Sequence, residues 1–317
     1  MPPRLLVPAA LATIYVVWGS TYLAIRVMVE DIPPLLGASV RYLLAGAVVW
    51  LYLRLRNGRE GVRVSARELA GCAVVGVLLL IGGNGLVTIA EQDVPSGLAA
   101  LLIASEPLFI VLLRWLARER PSQTTVISVV VGFAGVALLV LPGERPEGAP
   151  LGGVLLVLAA AALWALGSFA SPRLTLPDDA FLSTAVQMLV GGALMALMGL
   201  AAGEAGGLDP AAVSADSLLA LLYLASAGSV LAFSAYVWLL QNAPISTVST
   251  YAYVNPVIAI FLGWLILSEE ITPFVVAGAT VIVASVAVVV RHESAPAEEP
   301  VAVHGEEEAV AARERAG

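Results

Sequence analysis

Ten apolar runs of membrane-crossing length, at 5–29, 35–54, 68–90, 96–116, 124–141, 151–171, 180–202, 217–240, 246–267 and 273–290, follow one another with only short polar breaks between them. A helix needs about 20 apolar residues to cross the hydrocarbon core of a bilayer. Inside lipid every backbone N–H and C=O must find a partner within the protein, which helices supply by themselves. The pattern predicts an all-α integral membrane protein of ten transmembrane helices, with membrane lipid as its main surroundings. Charged residues are 13% of the 317, against roughly 25% in soluble domains, so no large soluble domain fits. The first run is longer than the apolar core of about 7–15 residues in a cleaved signal peptide, and its internal counterpart, described below, argues that it is retained.

The placement of arginine orients the chain. Short cytoplasmic loops collect positive residues, and with the N-terminus inside they hold Arg4, Arg54, Arg56, Arg59, Arg63, Arg67, Arg114, Arg118, Arg120, Arg173 and Arg291. The other side holds Arg145, with Arg26 and Arg41 near the membrane edge or within helices. Acidic loops fall outside: Glu30 and Asp31, Glu91 and Asp93, Glu204, Asp209 and Asp216, and Glu269 and Glu270. Both termini are therefore expected in the cytoplasm of a cell-membrane protein. Most of the net charge of −8 comes from the stretch 292–317, an Ala/Glu/Pro-rich acidic tail with no apolar face to bury, which reads as disordered.

Several chemistries are excluded by what is missing. The chain has no Lys, so a phosphate-cradling P-loop and a Schiff-base cofactor both lack their amine. His292 and His304 lie in the tail, which leaves no histidine for a metal site within the membrane. Cys72 is alone and reads as a packing residue. No cofactor, no metal and no nucleic-acid partner are expected, and the chain is not read as an enzyme.

Two halves of the sequence match at fixed offsets. At 146, Trp18 falls on Trp164, Arg41 on Gln187 and Gly46 on Gly192; at 149, Gln92 falls on Gln241, Pro95 on Pro244, Pro107 on Pro256 and Trp115 on Trp264. Each half holds five helices, an odd number, so the second must enter the membrane from the opposite side. This reads as a 5+5 inverted-topology repeat, with 1–146 and 147–291 as its units, an architecture suited to alternating access around a midplane site.

The polar residues left in the spans are few. Glu106-Pro107 and Asn255-Pro256 interrupt the fourth and ninth helices at matching positions, where proline frees carbonyls near Ile103 and Ala252. Paired breaks of this kind point to a binding site, although proline kinks that only shape the helices give the same pattern. Glu106 lies at mid-span, where a charged carboxylate costs about 2.5–3.5 kcal/mol on insertion scales. Two roles stay open for it: a proton-coupling group, or an ion-pair strut with Arg41. Arg41 in turn serves either that pair or an anionic ligand. Trp18-Gly-Ser-Thr-Tyr22 and Trp164-Ala-Leu-Gly-Ser168 place an aromatic ring and small hydroxyls near mid-membrane, readable as helix packing or as a stacking wall with Trp18 and Trp164 facing each other. Asn84 among the glycines of 82–85, Tyr236 and Trp238, and Tyr251 and Tyr253 beside Asn255 read as cavity lining. The fifth and tenth helices carry no charge and suit a scaffold, a lipid face or a homodimer face.

These motifs together resemble the EamA family of the drug/metabolite transporter superfamily over residues 8–291. The resemblance rests on Trp18-Gly-Ser-Thr-Tyr22, Arg41-Tyr-Leu-Leu-Ala-Gly46, Glu106-Pro107 with Glu119-Arg-Pro121, then Asn255-Pro256, Glu269-Glu270, Pro273 and Gly278. It implies secondary or facilitative transport, often export, of a small amphipathic metabolite, amino acid or drug-like molecule, with protons as a candidate coupling partner. It also implies a central cavity between helices one, three and four and six, eight and nine, which makes Trp18, Tyr22, Asn84, Glu106, Trp164, Ser168, Tyr236 and Asn255 candidate substrate-binding residues. The absence of Lys argues against the sugar-phosphate branch of that superfamily. A lipid-acting or scaffolding membrane protein is the competing reading.

Overall fold

The computed structural model describes residues 3–140, 149–243 and 250–293. Arg145, Pro244 and the tail from 294 onward lie outside the described residues. What is described is helix, turn and short connection, without a strand. The helices are α1 (Pro3–Met28), α2 (Pro34–Asn57), α3 (66–90), α4 (Ser96–Leu116), α5 (Gln123–Val140), α6 (Leu151–Ala170), α7 (Ala180–Ala201), α8 (215–242), α9 (Tyr251–Leu267) and α10 (Pro273–Glu293). Among the described residues eight of these, all but α5 and α9, are long and apolar enough to cross a membrane; the apolar stretches of the other two, Gln123–Leu139 and Tyr251–Leu267, are shorter and border the undescribed segments. Helix α10 runs to Glu293, so His292 belongs to the helix and not to the tail.

Local sequence explains most helix starts. Pro34 opens α2 with its ring already at helical φ and no N–H to leave unpaired. Ser65 and Glu68 form a capping box ahead of α3, Asp179 accepts from Phe181 and Leu182 ahead of α7, and Ser214 accepts from Ser217 ahead of α8. Two helix starts instead take their caps from distant sequence. Glu204 accepts from the backbone N–H of Leu35 and Leu36 at the head of α2, at 3.2 and 2.9 Å, and Glu269 accepts from Ser96 and Gly97 at the head of α4, at 2.7 and 3.0 Å. Anions suit these positions because the first N–H groups of a helix are unpaired and the helix dipole is positive there. The loops between α1 and α2, α3 and α4, α7 and α8, and α9 and α10 thus form an acidic end of the bundle, opposite the end that carries most of the arginines.

Two helices change winding at mid-length. Val77–Gly85 of α3 and Leu224–Leu231 of α8 are π-helical, the first ending in Gly82-Gly-Asn-Gly85 and the second containing Ala225-Ser-Ala-Gly-Ser229, and such segments recur at functional sites. Helix α4 is broken between Ser96–Ile103 and Glu106–Leu116, because Pro107 has no N–H to give Ile103 and Ser105 turns its hydroxyl back onto the Leu102 carbonyl at 2.6 Å. Helix α9 behaves differently from expectation. It passes through Pro256 without a break, since the proline sits only one and a half turns from the helix start and costs the single bond to Ala252.

Packing pairs α2 with α7, α5 with α10, α1 with α8 and α9, and α6 with α3 and α4. Glycine sets the closest approaches. A Cβ on Gly46 of α2 would come within 3.1 Å of Ala185 and Leu189 of α7, and one on Gly192 of α7 within 3.2 Å of Ser39 and Leu43 of α2. These contacts are reciprocal at the offset of 146, and small residues are what allow helices to pack tightly where lipid supplies no hydrophobic drive.

Candidate functional site

Where the π-helical parts of α3 and α8 meet the break in α4, the bundle holds a cavity of about 120 Å³, room for about four water molecules at liquid density. It is lined from α1 (Trp18, Thr21, Tyr22), α2 (Arg41, Tyr42), α3 (Gly83, Asn84), α4 (Ile103, Glu106), α6 (Trp164), α8 (Gly228, Ser229, Phe233) and α9 (Tyr251, Asn255, Pro256), among others. Six of the eight residues expected to bind substrate, Trp18, Tyr22, Asn84, Glu106, Trp164 and Asn255, are brought together here, with Arg41 and Pro256. Ser168, Tyr236 and Pro107 do not line it. Tyr236 stands directly behind, its ring 5.1 Å from that of Trp18.

Two opposite charges share this space without pairing. The Arg41 Nε donates to Ser229 Oγ at 3.0 Å and its guanidinium lies 4.9 Å from the Tyr42 ring centroid, so α8 and the neighbouring ring aim it. Arg41 and Glu106 are 6% and 7% exposed. Neither takes part in an ion pair within 4 Å among the described residues, and the Glu106 carboxyl accepts no hydrogen bond there. The ion-pair strut, one of the roles left open for Glu106, is therefore not formed among the described residues. Placing Glu106 at the head of the second segment of α4 gives its carboxylate the favourable end of a helix dipole, which offsets part of its burial.

Aromatic rings make the wall on the side toward the arginine-rich end. Trp18 meets Phe233, Tyr236 and Tyr251 with centroids 6.2, 5.1 and 5.5 Å away, and its Nε1 donates to the Gly228 carbonyl at 3.1 Å. Edge-on and tilted aromatic contacts of this kind add about 0.5–1.5 kcal/mol each beyond burial. Trp164 plays the matching part from the other half, packed against Gly83 so closely that a Cβ there would fall 2.6 Å from its ring. Each tryptophan thus rests on a glycine of a π-helical segment, and no ring contact joins Trp18 to Trp164 among the described residues. Two amides complete the polar surface: the Asn84 side chain, and Asn255, whose buried Oδ1 has no hydrogen-bond partner.

Sequence reasoning missed Ser229, Gly228 and Phe233. The signal was present in Ala225-Ser-Ala-Gly-Ser229, a small-residue run whose Gly228 and Ser229 fall on Gly82 and Gly83 at the offset of 146. The winding defects themselves leave no mark beyond those small residues.

The family model of the EamA-like transporter family matches residues 7–141 and 151–291. A protein of Escherichia coli (strain K12) named uncharacterized inner membrane transporter YedA is 38% identical over 255 residues, 80% of each chain. The uncharacterized transporter YoaV of Bacillus subtilis (strain 168) is 29% identical over 85% of this chain and 91% of its own. A probable amino-acid metabolite efflux pump of Salmonella typhimurium is 25% identical over 86% of this chain and 90% of its own. One solved crystal structure superposes with a TM-score of 0.61 over 89% of this chain and 95% of that one at 23% identity, a likeness of fold.

Proposed function

The chain belongs to the EamA-like transporter family, and from that premise we propose that it is a secondary transporter that exports a small zwitterionic or amphipathic metabolite, such as an amino acid, by alternating access. The observation that carries this is the unpaired Arg41 and Glu106 facing one aromatic-walled cavity. A carboxylate on the substrate meets the free Nη donors of Arg41, an ammonium meets Glu106, and an apolar body packs against Trp18, Tyr251, Phe233 and Trp164. Both charges are buried without an ion-pair partner among the described residues, so the substrate that supplies both counter-charges is favoured by relief of that cost. The Salmonella typhimurium relative, named for amino-acid metabolite efflux, agrees with this substrate class.

The architecture is a ten-helix, 5+5 inverted repeat with both termini cytoplasmic, which places the acidic end outside. Support comes from the packing: exchanging α1–α5 for α6–α10 turns the pairs of α1 with α8 and α9 into those of α6 with α3 and α4, and leaves α2–α7 and α5–α10 as they are. The reciprocal contacts of Gly46 and Gly192 obey the same exchange. Rocking of the two units about this axis opens the cavity to either face. Energy comes from the substrate gradient or from protons carried by Glu106.

Purified full-length protein in proteoliposomes tests the proposal. Counterflow of labelled amino acids and amphipathic amines is expected for the parent and is expected to drop at least tenfold in Arg41→Gln. Glu106→Gln keeps counterflow but loses response to a pH gradient if protons couple there, whereas a pH-insensitive parent assigns facilitated exchange. Absence of flux across the whole panel by folded protein would overturn the transport reading.

A further inference from the structure

Outside the cavity, one carboxyl is more deeply enclosed than Glu106. Glu91 follows the last turn of α3 at the acidic end; it is 0% exposed, and neither of its carboxyl oxygens has a hydrogen-bond partner. Arg26 of α1 spends one Nη on the backbone carbonyls of Glu91 and Gln92 and not on the carboxyl. Glu269, within electrostatic reach, is the opposite case: its two oxygens accept from the Ser96 and Gly97 N–H groups at the head of α4. Of the two neighbouring acids, Glu269 has two backbone donors and Glu91 has none, and a buried carboxyl without donors is the better place for a proton.

No donor among the described residues bonds the Glu91 carboxyl. Facing it are Tyr22 and Arg26 from α1, Arg41 from α2 and Glu269 from the turn before α10; α6, which packs along the end of α3, has no titratable residue between Leu151 and Ala170. Burial, and the Glu269 carboxylate beside it, push the Glu91 carboxyl above the usual carboxylate range, against a smaller pull downward from Arg26 and Arg41. An apolar cluster of Ala24, Ile25, Met28, Ile32, Val87, Leu221 and Leu224 packs α1, α3 and α8 together at the acidic end, one turn of α3 from Glu91 through Val87. Tyr22, which lines the cavity, lies within reach of both Glu91 and Glu106, so one side chain stands between the site and the cavity. The other half has Leu240 at the matching position, 149 residues on, so no second copy of the device exists at the arginine-rich end.

We propose that Glu91 is a second proton-binding site, separate from the cavity, and that the proton it holds keeps the acidic end closed. When that end opens, water reaches the carboxyl and the proton leaves to it; the resulting carboxylate resists burial and holds the end open until it is protonated again. The closed form binds one proton more than the open form, so the closed-to-open ratio falls about tenfold per pH unit over the range in which only the closed form carries it. This inference concerns closure and stands whether or not Glu106 couples to transport.

Two measurements on the full-length protein in lipid vesicles test it. In infrared titration, the parent and Glu106→Gln are expected to keep a protonated-carboxyl band at neutral pH that Glu91→Gln lacks; if Glu91→Gln keeps the whole band, Glu91 is ionised and the proposal fails. In the second, Leu221→Cys in a Cys72→Ser background reports the apolar cluster through its rate of reaction with a membrane-impermeant maleimide. Relative to Glu91→Gln, which fixes the neutral shape and shares the intrinsic pH dependence of the thiol, the Glu91 protein is expected to react about tenfold faster per pH unit in the alkaline direction. Equal pH profiles in the two would overturn the proposal. Should Glu91→Gln fold poorly, Glu91→Leu, which copies Leu240, is read the same way in both measurements.

Discussion

The carboxylate of Glu269 should be among the most costly acids of this chain to remove, and its surroundings set the size of the loss. It is 9% exposed and accepts two backbone hydrogen bonds, at 2.7 and 3.0 Å, from the first N–H groups of α4. A hydrogen bond to a charged group contributes roughly 1.5–3 kcal/mol, and a buried N–H left without an acceptor costs roughly 1–3 kcal/mol. Its carboxyl also lies over Gly263, whose missing Cβ would fall 2.3 Å from Oε2, so truncation empties a space that no side chain refills. Glu269→Ala should therefore lose about 3–5 kcal/mol, and Glu269→Gln, which keeps one acceptor, about 1.5–3 kcal/mol. Glu204 makes the matching pair of bonds to α2 from a half-exposed position, where water replaces part of what is lost, and Glu204→Ala should cost about 0.5–2 kcal/mol. Unfolding of the purified protein by titration with sodium dodecyl sulfate, followed by circular dichroism, ranks the three. A Glu269→Ala protein within about 0.5 kcal/mol of the parent, or one more stable than Glu204→Ala, would show that burial does not set the strength of these caps.

Three further outcomes are expected from the same structure. Gly46→Leu and Gly192→Leu each push a side chain into the facing helix and should destabilise by about 1–3 kcal/mol; because they share one interface, the double variant should fall short of or exceed the sum, as detergent unfolding would measure. Ser268 ends α9 at φ 57, so Ser268→Gly should raise stability by about 0.5–1 kcal/mol by removing the left-handed penalty, readable as a higher apparent Tm. Asp31 is held below the usual carboxylate range chiefly by its hydrogen bonds from Ser214, with a further one from Ser217. A depressed folded-state pKa gives stability that is present above the unfolded value of about 3.9 and lost as pH falls through the folded value. The stability gap between the parent and Asp31→Asn should therefore be full at neutral pH and close in strong acid, as parallel thermal melts would show.

The frame of this protein was legible because lipid imposes it. Apolar runs without charge have few other solutions, and the paired Trp18 and Trp164, Gly46 and Gly192 announce which surfaces correspond. The break at Glu106-Pro107 was legible too, since proline at that point cannot bond Ile103. The same dipeptide logic failed at Pro256, because the cost of a proline depends on how far it lies from the helix start, and α9 begins only at Tyr251. The acids of the loops were readable as markers of sidedness, but not as helix caps: Glu204, Glu269 and Asp31 reach partners 169, 173 and 183 residues away, and no local pattern encodes contacts that packing creates. Ser168 and Tyr236 show the finer limit. A helix turns about 100° per residue, so a motif can be placed at the right depth while one of its members faces a neighbouring helix instead of the cavity.

On the alternating-access reading proposed above, a symmetric frame that carries asymmetric chemistry makes the two open states unequal. The helix pairs and glycine contacts repeat between the halves, yet Arg41 is matched by Gln187, Glu106 by Asn255 and Glu91 by Leu240. Gln187 is spent within its own helix, donating to Ser183 Oγ at 3.0 Å, and offers nothing comparable to a guanidinium aimed by Ser229. If the two halves were chemically equal, rocking about their common axis would exchange equivalent states and the inward and outward cavities would bind substrate alike. With both cavity charges and the second acid in the first half, the two states differ in which charges meet water. Grafting the matching residues, Gln187→Arg with Arg41→Gln, tests whether position within the frame or only the presence of the charge matters. A double variant that recovers counterflow with its substrate affinities on the two membrane faces exchanged supports the first; recovery with the faces unchanged would refute the argument that this asymmetry sets the affinities of the two states.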